Sequence, residues 1–276
     1  TLYHGPNIDG VDVVLISDVG GNNKTEGTIG LAIVPLETFQ ATKEAERQAI
    51  EEGVEPRKIP ARRTQGYYKS IRNTIETSCG KCLFGAFGSK ALASMGFKPC
   101  YAQHNYQNAT QPSAILGRAS DVLPEYGVFQ LDAYRKLRGY AQYMGITKVR
   151  SAVVGDLGMI PAHIATALID ASVGLEWLGY THQWFRSEHL KSTHQASTQG
   201  PWKAAQAAID RGWAIYHVVS GKETTVDPRF TLCPAQQGKL AGIKVTCAGC
   251  PVQCNGKDAN LTYAIDHGPG SQIKRT

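Results

Sequence analysis

The segment 148–163, KVRSAVVGDLGMIPAH, constrains the fold more than any other part of the chain. Residues 149–154 are apolar and rich in β-branched side chains, which is typical of a buried strand, and Gly155–Asp156 ends the run abruptly. Pro161 suits the first turn of a helix, and apolar residues then recur at helical spacing until Gly174. The segment therefore predicts a strand, a functional loop and a helix.

The same unit recurs along the second half of the chain. The stretch LEWLGYTHQW predicts a strand that ends in polar residues, and 193–197 predicts another short strand. PWKAAQAAIDRG predicts a helix that leads into the strand WAIYHVV. Repeated strand and helix units indicate an α/β fold. Their spacing predicts a (β/α) barrel-like fold, either complete or in an incomplete or irregular form. We expect one barrel-like domain over 1–276.

The first 36 residues contain two strand-like runs, VDVVLIS and TIGLAIVP, joined by VGGNNKTEG, and they predict a β-hairpin. Asn23 and Lys24 in this turn are candidate substrate-binding residues, although a purely structural turn is the alternative. Residues 37–76 form a charged and basic insertion that begins with a predicted solvent-exposed helix. Its basic residues, interleaved with tyrosines, predict either a nucleic-acid-binding patch or an ordinary solvated face: Arg57, Lys58, Arg62, Arg63, Lys69 and Arg72.

The seven cysteines fall into two groups whose spacing favours metal ligation over a disulfide framework. The first group is Cys79, Cys82 and Cys100, and the second, within the metal-binding segment 233–256, is Cys233, Cys247, Cys250 and Cys254. Zinc is the expected metal and an iron–sulfur cluster is the alternative, because spacing alone does not choose between them. A thioredoxin-like redox pair at the first C-x2-C lacks the flanking βαβ pattern. The tail after the second group is predicted to be flexible.

Composition excludes some classes of protein. Hydrophobic residues make up 42% and charged residues 19%, which is typical of a globular chain, and no run reaches the roughly 20 apolar residues of a membrane span. No signal-peptide pattern opens the sequence, so we expect a cytoplasmic protein without membrane partners. The formal net charge of +6 permits attraction to a polyanion such as DNA but does not by itself indicate one.

Polar residues follow the predicted strands, and in a parallel barrel such positions meet at one rim, where ligands bind. Asp156 is a candidate catalytic carboxylate, with a helix cap as the alternative. His182 is a candidate for proton transfer, with a structural histidine as the alternative. Ser197 follows the next strand. Other residues near these strand ends are candidates for substrate binding: Gly155, Tyr180, Thr181 and Trp184.

The order of these motifs resembles an uncharacterised family of phage and bacterial proteins. The matching pieces cover most of the chain: YHGPNIDG, NNKTEG, SCGKC, CYA, VVGDLGMIPAH, GYTHQW, DRGWAIYHVV, CPAQQG and TCAGCPVQC. More remotely, the chain resembles the phage relatives of tRNA-guanine transglycosylases, which place 7-deazaguanine derivatives into DNA. Those enzymes have a (β/α) barrel, an aspartate nucleophile at a strand end and a zinc site of mainly cysteine ligands.

This second resemblance implies that the chain exchanges guanine in DNA for a 7-deazaguanine such as preQ0 through a covalent aspartyl intermediate. Asp156 would be the nucleophile, and the cysteines of 233–256 would bind zinc, although their order differs from the family's zinc motif. Asp18 in ISDVGG is similar to the family's Asp-Ser-Gly-Gly signature, with valine in place of serine, and is a second candidate for proton transfer. An iron–sulfur-dependent redox or radical enzyme and a non-catalytic, zinc-containing nucleic-acid-binding protein are the alternatives.

Overall fold

The computed structural model describes residues 1–19, 27–54, 116, 118–200, 202–219, 227–234, 236–237, 245, 250, 254–256 and 261–265. Four α-helices lie in this part of the chain: α1 (Leu36–Glu51), α2 (Leu131–Tyr143), α3 (Ala162–Ala171) and α4 (Lys203–Asp210). The strands are β1 (Tyr3–Pro6), β2 (Asp12–Val19), β3 (Ile29–Pro35), β4 (Lys148–Val154), β5 (Glu176–Leu178), β6 (Tyr180–Thr181), β7 (Gln195–Gln199), β8 (Ile215–Val219), β9 (Thr231–Leu232) and β10 (Leu261–Ile265). No helix among the described residues is long and apolar enough to cross a membrane.

The strands form two five-stranded sheets. The first, which we call the mixed sheet, has the order β1-β2-β3-β4-β5, with β1, β2 and β3 antiparallel to one another in turn and β3, β4 and β5 parallel. The antiparallel pairing of β2 with β3 confirms the predicted N-terminal hairpin. The second, which we call the parallel sheet, has the order β6-β7-β8-β10-β9, and all of its strands are parallel.

Gly179 is the single residue between β5 of the mixed sheet and β6 of the parallel sheet. Its carbonyl accepts a hydrogen bond from the backbone of Gln195 at the start of β7 (3.0 Å), and its N–H donates to the carbonyl of Cys254 (2.8 Å). The side chains of Ser151 and His194 cover it so closely that no Cβ fits there. One buried glycine therefore connects the two sheets.

The prediction of a (β/α) barrel is wrong. Closure requires the two outer strands of a sheet to pair. Among the described residues, β1 does not pair with β5 in the mixed sheet, and β6 does not pair with β9 in the parallel sheet. Strands β1, β2 and β3 also form an antiparallel meander, which a (β/α) barrel does not contain. The tail predicted to be flexible contains β10, which lies between β8 and β9. Its alternating burial is that of a strand with one covered face.

The mixed sheet is covered on both faces. On one face, Leu15 and Leu31 pack in a core with Tyr134 of α2 and Leu168 of α3. On the other face, strand residues form a second core with Phe39 of α1, which is 2% exposed. The helix at the start of the 37–76 insertion was predicted correctly, but its thin apolar stripe packs against this sheet. Helix α4 contacts β7 and β8 of the parallel sheet.

Candidate functional site

Asp156 lies two residues beyond β4, at the carboxyl end of a parallel strand. Gly155, which precedes it, has a φ of +86°, a backbone conformation that favours glycine. One carboxylate oxygen of Asp156 accepts a hydrogen bond from the backbone N–H of Gly158 (2.8 Å), which caps a short 3₁₀ turn. The other oxygen accepts from the backbone N–H of His182 (2.6 Å). Asp156 thus caps the 3₁₀ turn at Leu157–Met159, and its hydrogen bond to His182 connects the ends of β4 and β6.

The Asp156 carboxylate is only 2% exposed, yet its surroundings favour the charged form. Burial raises the pKa of Asp156, but interactions with His182 and hydrogen bonds from Thr181 and Gly158 lower it by more. The resulting pKa lies below the ordinary value of 3.8. The site therefore contains a buried carboxylate that is ionised at neutral pH.

The His182 imidazole lies between this carboxylate and a hydroxyl group. Its Nδ1 is 3.6 Å from Oδ2 of Asp156, and its Nε2 is 3.1 Å from Oγ of Ser197 on β7. The His182 side chain is 13% exposed, so the ring reaches from a buried charge towards the surface. A carboxylate, an imidazole and a hydroxyl in this order can orient a ring and move a proton.

Two tyrosines lie beside His182. Tyr180 of β6 and Tyr216 of β8 stack with their ring centroids 5.1 Å apart and an interplanar angle of 10°. The Tyr180 ring meets the His182 ring edge to face at 6.2 Å. Both tyrosines are partly exposed. The sequence singled out Tyr180 but missed Tyr216, because only the strand register reveals that the two rings meet.

The register places these tyrosines on one side of the parallel sheet. Tyr180 pairs with Gln195, and Ser197 pairs with Tyr216, which in turn pairs with Thr262 of β10. Parallel sheets are usually apolar on both faces, so this row of polar side chains is unusual. We call it the polar face: Tyr180, Gln195, Ser197, Tyr216 and Thr262. The opposite side contributes Ala196 and Ile215 to the hydrophobic core.

Two residues predicted to bind substrate, Trp184 and Thr181, make contacts that are typical of structural residues. The Trp184 ring packs against the hydrophobic core and lies 5.7 Å from the guanidinium of Arg211. Thr181 is fully buried, and its hydroxyl accepts from the backbone N–H of Gln183 (2.9 Å) and hydrogen-bonds to Asp156. Thr181 therefore supports the carboxylate, while Trp184 packs with arginine and core residues.

The structure does not bring Asp18 into this site. Asp18 is in register with Gly30, whereas the end of β4 pairs with Ala32 and Asp156 lies two residues beyond it. At about 3.3 Å per residue, the backbone of Asp18 and the end of β4 are already roughly 7 Å apart along the strand direction, and Asp156 lies beyond that end. Asp18 instead forms an ion pair with Arg118 (2.5 Å). The antiparallel direction of β2 carries Asp18 away from the carboxyl ends of the parallel strands.

Several predicted site residues lie outside the described residues: Asn23, Lys24, Arg57, Lys58, Arg62, Arg63, Lys69, Arg72, Cys79, Cys82, Cys100 and Cys247. Within the described part of the chain, no group of three or more histidine, cysteine or acidic residues could hold a metal ion. The metal therefore stays a prediction.

Three cysteines of the second group are described, Cys233, Cys250 and Cys254, and backbone hydrogen bonds relate two of them to the parallel sheet. The backbone N–H of Cys233, just after β9, donates to the carbonyl of Tyr263 (2.8 Å). The carbonyl of Cys254 accepts a hydrogen bond from the backbone N–H of Gly179, just before β6. Strands β6 and β9 are the outer strands of the parallel sheet, with three strands between them. Because neighbouring strands are about 4.8 Å apart, the two positions are not adjacent.

Comparisons with protein-family models, with curated proteins and with solved structures each found no match to this chain. The resemblance inferred from the motifs is therefore a prediction, and the function is argued from the site itself.

Proposed function

We propose that this chain is an enzyme that exchanges guanine in DNA for a 7-deazaguanine base of the preQ0 type. Asp156 is the nucleophile and His182 the proton-transfer group. The observation that carries this proposal is the contact between a buried, ionised carboxylate and a partly exposed imidazole after β4 and β6. An ionised carboxylate suits attack on a sugar carbon, and an imidazole suits proton transfer near neutral pH.

The proposed reaction has two steps. The Asp156 carboxylate forms a bond to the anomeric carbon of a deoxyguanosine while the bond to guanine breaks and the leaving base takes up a proton. The incoming 7-deazaguanine then loses a proton and displaces Asp156 from the sugar. Because Asp156 is buried and the backbone N–H groups of Gly158 and His182 bind its two oxygens, attack requires the turn at 182–186 to move aside.

The tyrosine pair supports a nucleobase as the substrate. A base that reacts at its glycosidic bond has to leave the DNA stack, and aromatic rings bind such bases by stacking. Tyr180 and Tyr216 are partly exposed next to His182 and offer such a surface. We propose that the basic residues of the 37–76 insertion hold the DNA phosphates and that the protein acts in the cytoplasm, which is the host cytoplasm if a phage encodes it.

We expect Asp156→Asn to abolish incorporation of labelled preQ0 into DNA, because the amide is a poor nucleophile and no longer pairs with His182. Nucleoside mass spectrometry of DNA incubated with the purified protein measures the product. Asp132→Asn, which changes an exposed carboxylate of α2, is the matched control and should retain full activity. Undiminished incorporation by Asp156→Asn would remove Asp156 from the reaction.

We also propose that the protein binds zinc through the cysteine thiolates of the C-x2-C-x3-C group and that Cys233 is not one of the ligands. Cys254 belongs to the compact C-x2-C-x3-C group, whereas Cys233 lies after the opposite outer strand. Elemental analysis should therefore find less zinc in Cys254→Ser and an unchanged amount in Cys233→Ser. Loss of zinc from Cys233→Ser as well would contradict this assignment. Iron with labile sulfide would instead support the redox alternative.

A further inference from the structure

Both nitrogens of the His182 ring have partners in the structure. Nδ1 faces the Asp156 carboxylate, and Nε2 is within hydrogen-bond distance of the Ser197 hydroxyl. A neutral imidazole has one N–H, and a neighbouring carboxylate favours the tautomer that directs this N–H towards it. Nε2 is then the acceptor, so the Ser197 hydroxyl donates its proton to His182.

Ser197 is therefore the residue of the polar face that hydrogen-bonds to His182. Ser197 pairs in register with Tyr216 and lies on the same side of the sheet as Tyr180. When a serine hydroxyl donates to a ring nitrogen, its oxygen still has lone pairs that accept a hydrogen bond. The Ser197 hydroxyl can therefore hydrogen-bond to His182 and accept from a second group that lies beside the tyrosines.

We propose that Ser197 relays protons between Nε2 of His182 and the base that leaves or enters the site. The relay rests on the proposed function and adds a residue to it. His182 first takes up a proton from solvent at Nε2. As the glycosidic bond breaks, the imidazolium gives this proton to the Ser197 oxygen, the Ser197 hydroxyl proton moves to the leaving base, and the imidazole returns to its neutral form. Both transfers reverse when the incoming base loses its proton.

The position of Ser197 suits a relay better than a nucleophile. Ser197 lies within β7, between β6 and β8, and is only 3% exposed. A proton can pass through a hydrogen bond at such a position without a movement of the backbone, whereas the attack proposed for the similarly buried Asp156 requires a neighbouring turn to move aside. A proton relay needs only one hydrogen-bonding atom of the base to arrive.

The same strand offers a matched control on its opposite side. The Thr198 hydroxyl lies 2.9 Å from Nδ1 of the buried His217, so it forms a comparable hydrogen bond away from the polar face. We expect Ser197→Ala to lower kcat for base exchange about 100-fold with little change in KM, in the range typical of positioned proton transfer. Thr198→Val should keep kcat within about threefold, and Ser197→Thr, which retains the hydroxyl, should recover much of the activity.

A measurement made without substrate tests the Ser197–His182 hydrogen bond independently of the proposed base exchange. Nitrogen-15 NMR of the histidine rings in the wild-type protein should show the Nδ1–H tautomer of His182, with an Nε2 shift that changes in Ser197→Ala and not in Thr198→Val. An Nε2–H tautomer in the wild type, or full activity of Ser197→Ala, would overturn the relay. If the wild type shows the expected tautomer but exchanges no base, the Ser197–His182 assignment stands and the proposed reaction falls.

Discussion

Replacing Gly179 with alanine is expected to lower the free energy of unfolding by about 3 kcal/mol or more, because the site has no room for a methyl group. A Cβ at Gly179 would lie 2.1 Å from Oγ of Ser151 and 2.6 Å from Cδ2 of His194. Both neighbours are buried, and the next strand begins one residue later, so relief requires the backbone to shift at the junction of the two sheets. Urea unfolding followed by circular dichroism measures the loss.

Gly139→Ala is the matched control for this prediction. Gly139 lies within α2, and no atom is within 4 Å of the position that a Cβ would occupy. Alanine is the better helix former, so this variant should be more stable than the wild type by up to about 1 kcal/mol. If Gly179→Ala unfolds at the same urea concentration as the wild type, the result would contradict the close packing of Ser151 and His194 around this residue.

Lowering the pH from 7 to about 4 is expected to cost the fold several kcal/mol. Burial lowers the pKa of His194 from 6.5 to about 4, and burial likewise lowers the pKa of His217 to about 4. Between these pH values the unfolded chain binds protons that the folded chain excludes, so stability falls as the pH falls from about 6.5 to about 4. His194 alone contributes roughly 3 kcal/mol to this loss, at about 1.4 kcal/mol per pH unit.

Urea unfolding at several pH values between 7 and 4.5 measures this loss. We expect His194→Gln to reduce the slope, and His163→Gln, which changes an exposed histidine of α3, to leave it unchanged. NMR titration of the wild-type His194 ring provides a readout that needs no variant. A His194 ring that titrates near pH 6.5, with a flat stability profile, would contradict the buried neutral state. The lowered pKa of Asp156 acts in a separate window, because its contribution is lost only below about pH 3.8.

The sequence predicted the local elements better than their assembly. The hairpin, the strand β4 and the helices α1, α3 and α4 follow from periodicity and turn residues, which act over a few positions. Barrel closure depends on whether distant outer strands pair, and no local pattern encodes that. The strand β10 was missed because glycine and basic residues after it suggested a flexible tail, although LTYAI itself alternates.

The same distinction holds for the candidate site. Asp156 and His182 were predicted together because each follows a parallel strand, and the structure brings them into contact. The contact of Ser197 with His182 and the stacking of Tyr216 on Tyr180 depend on which side of a strand a residue occupies, which requires the register. Asp18 was selected from a motif resemblance, but the antiparallel direction of β2 places it elsewhere.

The most direct test of the central claim is to look for a covalent link between Asp156 and DNA. Wild-type protein incubated with guanine-containing DNA, without an incoming base, should yield a protein–DNA adduct that survives denaturation. Mass spectrometry of its peptides should locate the sugar on Asp156, and addition of preQ0 should release the adduct. The account predicts no adduct with Asp156→Asn and an undiminished one with Asp132→Asn. An adduct at another residue, or base exchange by Asp156→Asn at the wild-type rate, would contradict it.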